Sequence, residues 1–334
     1  MGALVRAATL KHYDEVAQKL GLNPNEMLRS VGLTPAMLSN PECMLPLDAA
    51  LKLLEESAER SSCPTFGLRM AEARRLSDLG AVSLLLSHQR TLRDMLHTTI
   101  EYRHLLNRTL AMSLETVGKT VLIRQEVMAE AGSPKRQATE LTVGILHRTC
   151  GSLMSSRWHP KSVHFSHEAP ASQQAYARFF GCRVLFDAEF DGIVCSTEDI
   201  DQLNPQADLE LAGYARQFMD SMGGPDENSV IFDVRKAIYL LMPVGRATIN
   251  QVAYAQGVSV RTLQRELDSV GLTFSELLNA VRRELALRYM ENRNYSLQQV
   301  GMMLGYAVPN SFTRWFCAEF GCPPRAWKSR IKQA

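Results

Sequence analysis

From residue 226 to the C-terminus the apolar positions recur three and four residues apart, among Leu, Arg, Glu, Gln and Ala, with no alternating β-branched run. That period belongs to helices, so this third of the chain reads as all-α. Earlier the periods are mixed. Residues 4–20 and 46–60 carry the apolar stripe of amphipathic helices, and 137–155 and 172–180 repeat it. Residues 110–116 and 120–127 flank Val117-Gly118-Lys119, which predicts a β-hairpin. Short strands are expected at 162–166, 183–186 and 192–196. Between the two regimes, Met219-Asp-Ser-Met-Gly-Gly-Pro-Asp-Glu-Asn-Ser229 has paired glycines, a proline and no hydrophobic period, which marks a linker. The expected fold class is an α+β domain over residues 1–218, a linker at 219–229, and an all-α domain over 230–334.

The all-α third is internally duplicated. Thr248-Ile-Asn-Gln-Val-Ala-Tyr-Ala-Gln-Gly-Val-Ser259-Val-Arg-Thr-Leu-Gln-Arg265 aligns with Ser296-Leu-Gln-Gln-Val-Gly-Met-Met-Leu-Gly-Tyr-Ala307-Val-Pro-Asn-Ser-Phe-Thr-Arg314. Val252 matches Val300 and Gly257 matches Gly305; after a one-residue insertion, Leu263 matches Phe312 and Arg265 matches Arg314. Each copy opens with residues suited to a capping box, Thr248 with Gln251 and Ser296 with Gln299. An apolar stripe, a turn glycine and a second helix follow, the order of a helix-turn-helix unit. In the first copy Leu263, Leu267 and Val270 share one side, and Arg261, Gln264, Arg265 and Asp268 the other. In the second, Phe312 and Phe316 oppose Asn310, Thr313 and Arg314. Arg matches guanine bidentately in a major groove, and Gln or Asn matches adenine. A merely solvated helix face would not explain two such units repeated in register.

Charge agrees with this placement. The net charge of +2 conceals 14 Lys+Arg against 9 Asp+Glu from Asp226 onward, a net of +5, and a net of −3 before it. A basic module on a mildly acidic body suits a polyanion partner. With 334 residues and 46% hydrophobic content, the chain can build two cores, which excludes a disordered or disulfide-stapled scaffold. No apolar run approaches the roughly 18 residues of a membrane span. The N-terminal stretch has no signal-peptide hydrophobic region, and the seven Cys contain no CxxC pair, so a cytoplasmic protein without a membrane partner is expected.

Ala253-xxx-Gly257-Val-Ser259-x-Arg261-Thr-Leu-Gln-Arg265 resembles the AraC/XylS family of bacterial transcription regulators. So do Arg282-xxx-Ala286, Val300-Gly-xxx-Gly305-Tyr306, Phe312-Thr-Arg314-Trp-Phe316 and Phe320-Gly321-Cys-Pro323-Pro-x-x-Trp327-Lys328. The resemblance implies a seven-helix domain whose long connecting helix holds two recognition helices about one DNA turn apart. It places the base-reading positions on Arg261, Gln264 and Arg265, and then on Pro309, Asn310 and Arg314. Arg282, Arg283 and Arg288 on the connecting helix become candidate phosphate contacts. Val308 departs from the family pattern where a capping residue is usual, and Pro309 where a polar contact is frequent. Upstream, Pro160-Lys-Ser-Val-His-Phe-Ser-His167-Glu-Ala-Pro170 and Tyr176-x-x-Phe179-Phe180-Gly181-Cys-x-Val184-x-Phe186 resemble the effector domain of the arabinose-binding-type subgroup, which is varied in ligand. The partners implied are double-stranded promoter DNA and a small-molecule effector, with an organic or fatty acid favoured and Arg148 and Arg157 available for it. The resemblance also admits a homodimer and contact with RNA polymerase.

Other signals carry less. His159, His164 and His167 beside Glu168 suggest a metal site, but His164 and His167 would face opposite sides of a strand. Cys317 and Cys322 read as structural thiols, and Glu55-Glu56 as a solvated helix face. No phosphate loop, nucleophile elbow or HExxH occurs, so no cofactor, metal or catalytic group is expected. The alternative, a DNA-repair enzyme with a methyl-accepting Cys fused to this DNA-binding module, needs a Pro-Cys-His-Arg context that none of the seven Cys has.

Overall fold

The computed structural model describes residues 3–130, 132–154, 158–221, 229–243, 245–256, 258–292 and 295–331. Arg157, Gly257 and most of the expected linker lie outside these residues. The chain forms two compact units, Met1–Gly224 and Pro225–Ala334.

The N-terminal unit does not begin with the single helix expected over residues 4–20. Leu4–Arg6 is a strand, β1, paired antiparallel with β2, Met44–Pro46, so that Val5 faces Leu45. A 3₁₀ turn follows at Ala7–Leu10, and His12 takes a left-handed φ of 68° before the helix Tyr13–Lys19. Val5, Leu10, Tyr13 and Val16 are all buried, so the apolar positions were read correctly while their geometry was not. The helix Leu47–Arg60 forms as expected and buries Leu47, Leu51, Leu54 and Ala58 on one face. Its Glu55 corrects the expectation of a solvated pair. The Glu55 Oε1 accepts the Gln137 backbone N–H at 2.8 Å, and burial raises its pKa.

Five strands form one sheet, in the spatial order Leu110–Val117, Thr120–Val127, Asp191–Ser196, Ser162–His164, Arg183–Leu185. The strands β3, Leu110–Val117, and β4, Thr120–Val127, make the expected hairpin, with Val117 opposite Thr120 across Gly118 at φ 59°. β7, Asp191–Ser196, lies antiparallel to β4 and to β5, Ser162–His164. β5 pairs in parallel with β6, Arg183–Leu185, and the helix Gln174–Phe180 makes the crossover between them.

The 19-residue helix Arg136–Met154 joins two cores. Ala138 and Leu141 pack with the N-terminal helices, while Val143, Leu146, Cys150 and Leu153 pack against the sheet. It approaches the helix Phe66–Ala73 closely enough that a Cβ on Gly67 would meet the Gln137 carbonyl oxygen at 2.1 Å. Only glycine admits that contact.

The C-terminal unit has seven helices among the described residues: Ser229–Leu241, Ile249–Ala255, Val260–Ser269, Phe274–Glu291, Leu297–Met303, Pro309–Phe320 and Pro324–Ile331. The fourth is the longest, and Thr273 with Glu276 forms a complete capping box at its start. Leu277, Val281, Leu285 and Ala286 on its buried stripe share one core with residues of both helix pairs, including Leu263, Leu267, Phe312 and Phe316. No helix among the described residues is long and apolar enough to cross a membrane.

Candidate DNA-reading surface and ligand cavity

The two helix pairs differ at their caps. Thr248 accepts the Gln251 N–H at 3.3 Å, but its own N–H donates to the Arg246 carbonyl at 2.8 Å, so Gln251 has no reason to fold back. Ser296 and Gln299 complete the reciprocal box, with distances of 2.8 and 3.2 Å. The first recognition-type helix, Val260–Ser269, is capped by Ser259, whose Oγ accepts the Thr262 N–H at 3.1 Å. The second, Pro309–Phe320, starts from extended Val308 with no side-chain cap, and Pro309 occupies its first turn. The Thr313 hydroxyl donates to the Pro309 carbonyl at 3.1 Å.

Both helices separate their faces as the sequence requires. Leu263, Leu267, Phe312 and Phe316 are buried; Arg261, Gln264, Arg265 and Asp268 are exposed, as are Pro309, Asn310, Thr313 and Arg314. Around the second helix Tyr306, Phe312, Trp315, Phe316, Phe320 and Trp327 form a continuous aromatic cluster. A Cβ on Gly301 would stand 3.3 Å from Phe312, which shows how tightly this pair closes.

The three arginines of the connecting helix are not equivalent. Arg282 donates from Nε to the Leu304 carbonyl at 3.0 Å and from Nη1 to Asn279 Oδ1 at 3.1 Å. Its guanidinium lies 4.8 Å from the Tyr306 ring centre. Arg282 thus ties the connecting helix to the turn of the second unit. Arg283 is exposed and pairs with Glu319 at 3.3 Å, and Arg288 is half-buried.

In the N-terminal unit a cavity of about 140 Å³ lies where the two cores meet. Its walls are largely apolar, with Leu86, Met95, Met112, Leu141, Ile145 and Leu146. Sequence reasoning missed its cations. Arg6, Arg74, Arg75 and Arg103 line it, against the one acid among its described lining residues, Asp78. Arg148 does not line it; its Nε donates to the Arg74 carbonyl at 3.2 Å and so fixes a residue that does. Burial would raise the Asp78 pKa, but bonds from Lys11, the Arg75 N–H and His12 hold it at about 2. Burial pulls the Arg74 pKa down to about 10.

The histidines do not assemble a metal site. His164 stacks on Phe190 with ring centres 4.7 Å apart, while His167 lies 3.3 Å from Glu140, and no cluster of three or more potential ligands occurs among the described residues.

Comparison with known proteins joins the two units. Residues 21–204 match the profile of the arabinose-binding domain of AraC transcription regulators, N-terminal part, and residues 252–330 match a helix-turn-helix domain profile. The chain belongs to the AraC family of transcription regulators. This AraC-family protein is a helix-turn-helix regulator with an N-terminal ligand-binding domain. It is 27% identical over 332 residues to the HTH-type transcriptional regulator VirS of Mycobacterium tuberculosis, covering 98% of this chain and 97% of VirS. It is 22% identical over 317 residues to the ornithine utilization regulator of Pseudomonas aeruginosa, covering 94% of this chain and 93% of that protein. The crystal structure of the transcriptional regulator CdpR from Pseudomonas aeruginosa aligns with a TM-score of 0.43 at 20% identity, covering 91% of this chain and 96% of CdpR.

Proposed function

We propose that this regulator binds double-stranded promoter DNA in the bacterial cytoplasm by placing its two recognition-type helices in successive major grooves. Arg261, Gln264 and Arg265 read base edges from the first helix, and Asn310 and Arg314 from the second, where Pro309 contributes shape rather than a donor. Arg283 and Arg288 reach phosphates, while Arg282 acts chiefly as the brace of the second unit. The observation that carries this reading is the repetition itself: two helices bury apolar side chains in one core shared with the connecting helix and expose Arg, Gln and Asn on the other face. The 18-residue connecting helix is about 27 Å long at 1.5 Å per residue, comparable with the roughly 34 Å repeat of DNA.

The N-terminal unit senses a small organic acid and alters DNA binding through different affinities for two states of the protein. A fused repair enzyme is disfavoured because no Cys stands in a Pro-Cys-His-Arg context. The test is selection of sites from random DNA by the full chain, followed by affinity measurement at two salt concentrations. A bipartite site with segments one turn apart and a steep loss of affinity with salt is expected. A single short segment, or salt-independent affinity, rejects the model.

A further inference from the structure

Arg74 is only 6% exposed and lines the cavity. Its Nη2 donates to the Thr9 carbonyl, but its Nε is buried with no hydrogen-bond partner. Asp78, the acid in the same wall, is already held by Lys11 at 2.7 Å, His12 at 3.0 Å and the Arg75 N–H at 2.8 Å. A second buried group is incomplete as well: Gln125, also 6% exposed, has no partner for its Oε1. Buried polar atoms in native proteins are paired in the great majority of cases, because an orphan keeps its full desolvation cost. With the Arg6 Nε, also buried without a partner, three such atoms belong to residues that line one cavity, and the two guanidinium donors among them point to a missing anion.

The chemistry of the walls narrows that ligand. A guanidinium offers a planar fork matched to a carboxylate. Of the four lining arginines only Arg74 is buried, while Arg6 and Arg103 are half-buried and bonded to Glu42, the Leu105 carbonyl and the Ile100 carbonyl, and Arg75 is exposed, so Arg74 is the one best shielded from water to hold an anion. Sugars need partners for each hydroxyl, yet Thr99 and Thr142 spend theirs on carbonyls of their own helices, at 2.8 and 3.0 Å. The size is restrictive too, since a dry cavity of roughly 150 Å³ holds benzene.

We propose that this cavity binds a compact monocarboxylate, its head on Arg74 and an apolar body of about six to eight carbons between Met95, Met112, Ile145 and Leu146. The proposal names the ligand class for the effector reading above and rests on it for its regulatory consequence. The small volume disfavours long acyl chains, and the threonine hydroxyls already engaged disfavour sugars.

Calorimetric titration of the full chain with sodium benzoate and sodium hexanoate tests it, with benzamide, hexadecanoate and arabinose as controls. At least one of the two short carboxylates should bind at one site per chain, with benzamide at least tenfold weaker than benzoate where benzoate is the ligand. Arg74→Gln should weaken the carboxylate at least tenfold, and Ile145→Trp, which fills the cavity, should abolish binding. Should Arg74→Gln not fold, the preference over benzamide in the wild type and the Ile145→Trp result decide. Failure of both carboxylates to bind, or binding indifferent to both substitutions, overturns the proposal. DNA affinity measured alongside separates the two readings. Arg74-dependent binding that leaves DNA affinity unchanged keeps the site and rejects effector control. DNA affinity that answers a cell extract, with no carboxylate bound, does the reverse.

Discussion

The Arg282 Nε stands 3.0 Å from the Leu304 carbonyl oxygen, twenty-two residues along the chain, and closes the connecting helix onto the turn before Gly305. Gly305 takes a φ of 81° there, so Leu304 ends its helix with a carbonyl that the next turn cannot satisfy in the usual way. A charged donor meets it.

Arg282→Ala should therefore act on folding before it acts on DNA. Loss of a charge-assisted hydrogen bond, together with the stacking on Tyr306, should destabilise the C-terminal unit by about 1.5–3 kcal/mol. Arg283→Ala, at an exposed ion pair, should cost less than about 1 kcal/mol in stability and instead reduce the salt dependence of DNA binding. Thermal melts and salt titrations of both variants check this. An unchanged melt for Arg282→Ala, with a reduced salt slope, would return Arg282 to the phosphate contacts.

What was legible in the sequence was local. The hairpin Leu110–Val127 announces itself because its partners lie beside its turn, and the duplicated helix pairs because the cap, stripe and turn of each copy lie close together along the chain. The Leu4–Arg6 strand was hidden because its partner, Met44–Pro46, is forty residues away and both are only three residues long. Arg74 was hidden for a related reason. Beside Arg75 it reads as half of a surface pair, and nothing in composition reveals that one is buried against Thr9 while its neighbour is exposed. Arg148, singled out for its charge, meets the cavity through the Arg74 backbone, to whose carbonyl its Nε donates.

Gln125 offers a test of the cavity in the absence of any ligand. Its Nε2 has only a weak contact with Met112 Sδ at 3.8 Å, and its Oε1 none. Replacing an incompletely satisfied amide by an apolar side chain of similar volume removes the desolvation cost. Gln125→Leu should stabilise the ligand-free protein by about 1 kcal/mol in chemical denaturation. A loss of more than that amount would mean that the amide is satisfied in solution.

His147 makes stability sensitive to acid. Its Nδ1 accepts the Trp158 indole N–H at 3.1 Å, a bond that only the neutral ring can make, and burial lowers its pKa to about 4. The unfolded chain, with a pKa near 6.5, binds the proton more readily than the fold does. The contribution of His147 is therefore complete above about pH 6.5 and is lost progressively as the pH falls toward 4, on the order of 3 kcal/mol. His147→Phe should flatten this part of the stability profile. An unchanged slope between pH 6.5 and 4.5 would assign the acid sensitivity to other groups.

The two recognition-type helices should differ in what they contribute. Arg265 lies one turn beyond Arg261 on the exposed face of a helix anchored by the Ser259 cap, so its planar fork is held in a defined direction. Arg265→Ala should cost about 1–3 kcal/mol on the preferred site and relax the choice of one base. Arg314 occupies the equivalent place in the repeat, but its helix starts from Val308 and Pro309 without a side-chain cap. Its orientation depends on the aromatic packing of Phe312 and Phe316 instead, which fixes the helix axis better than its first turn. Arg314→Ala should weaken binding with a smaller change in base preference, as loss of a phosphate contact does. Site selection with the wild type and both variants measures the two effects together. Collapse of specificity for Arg314→Ala alone reverses the assignment of the two helices, and no change for either variant removes groove reading from both.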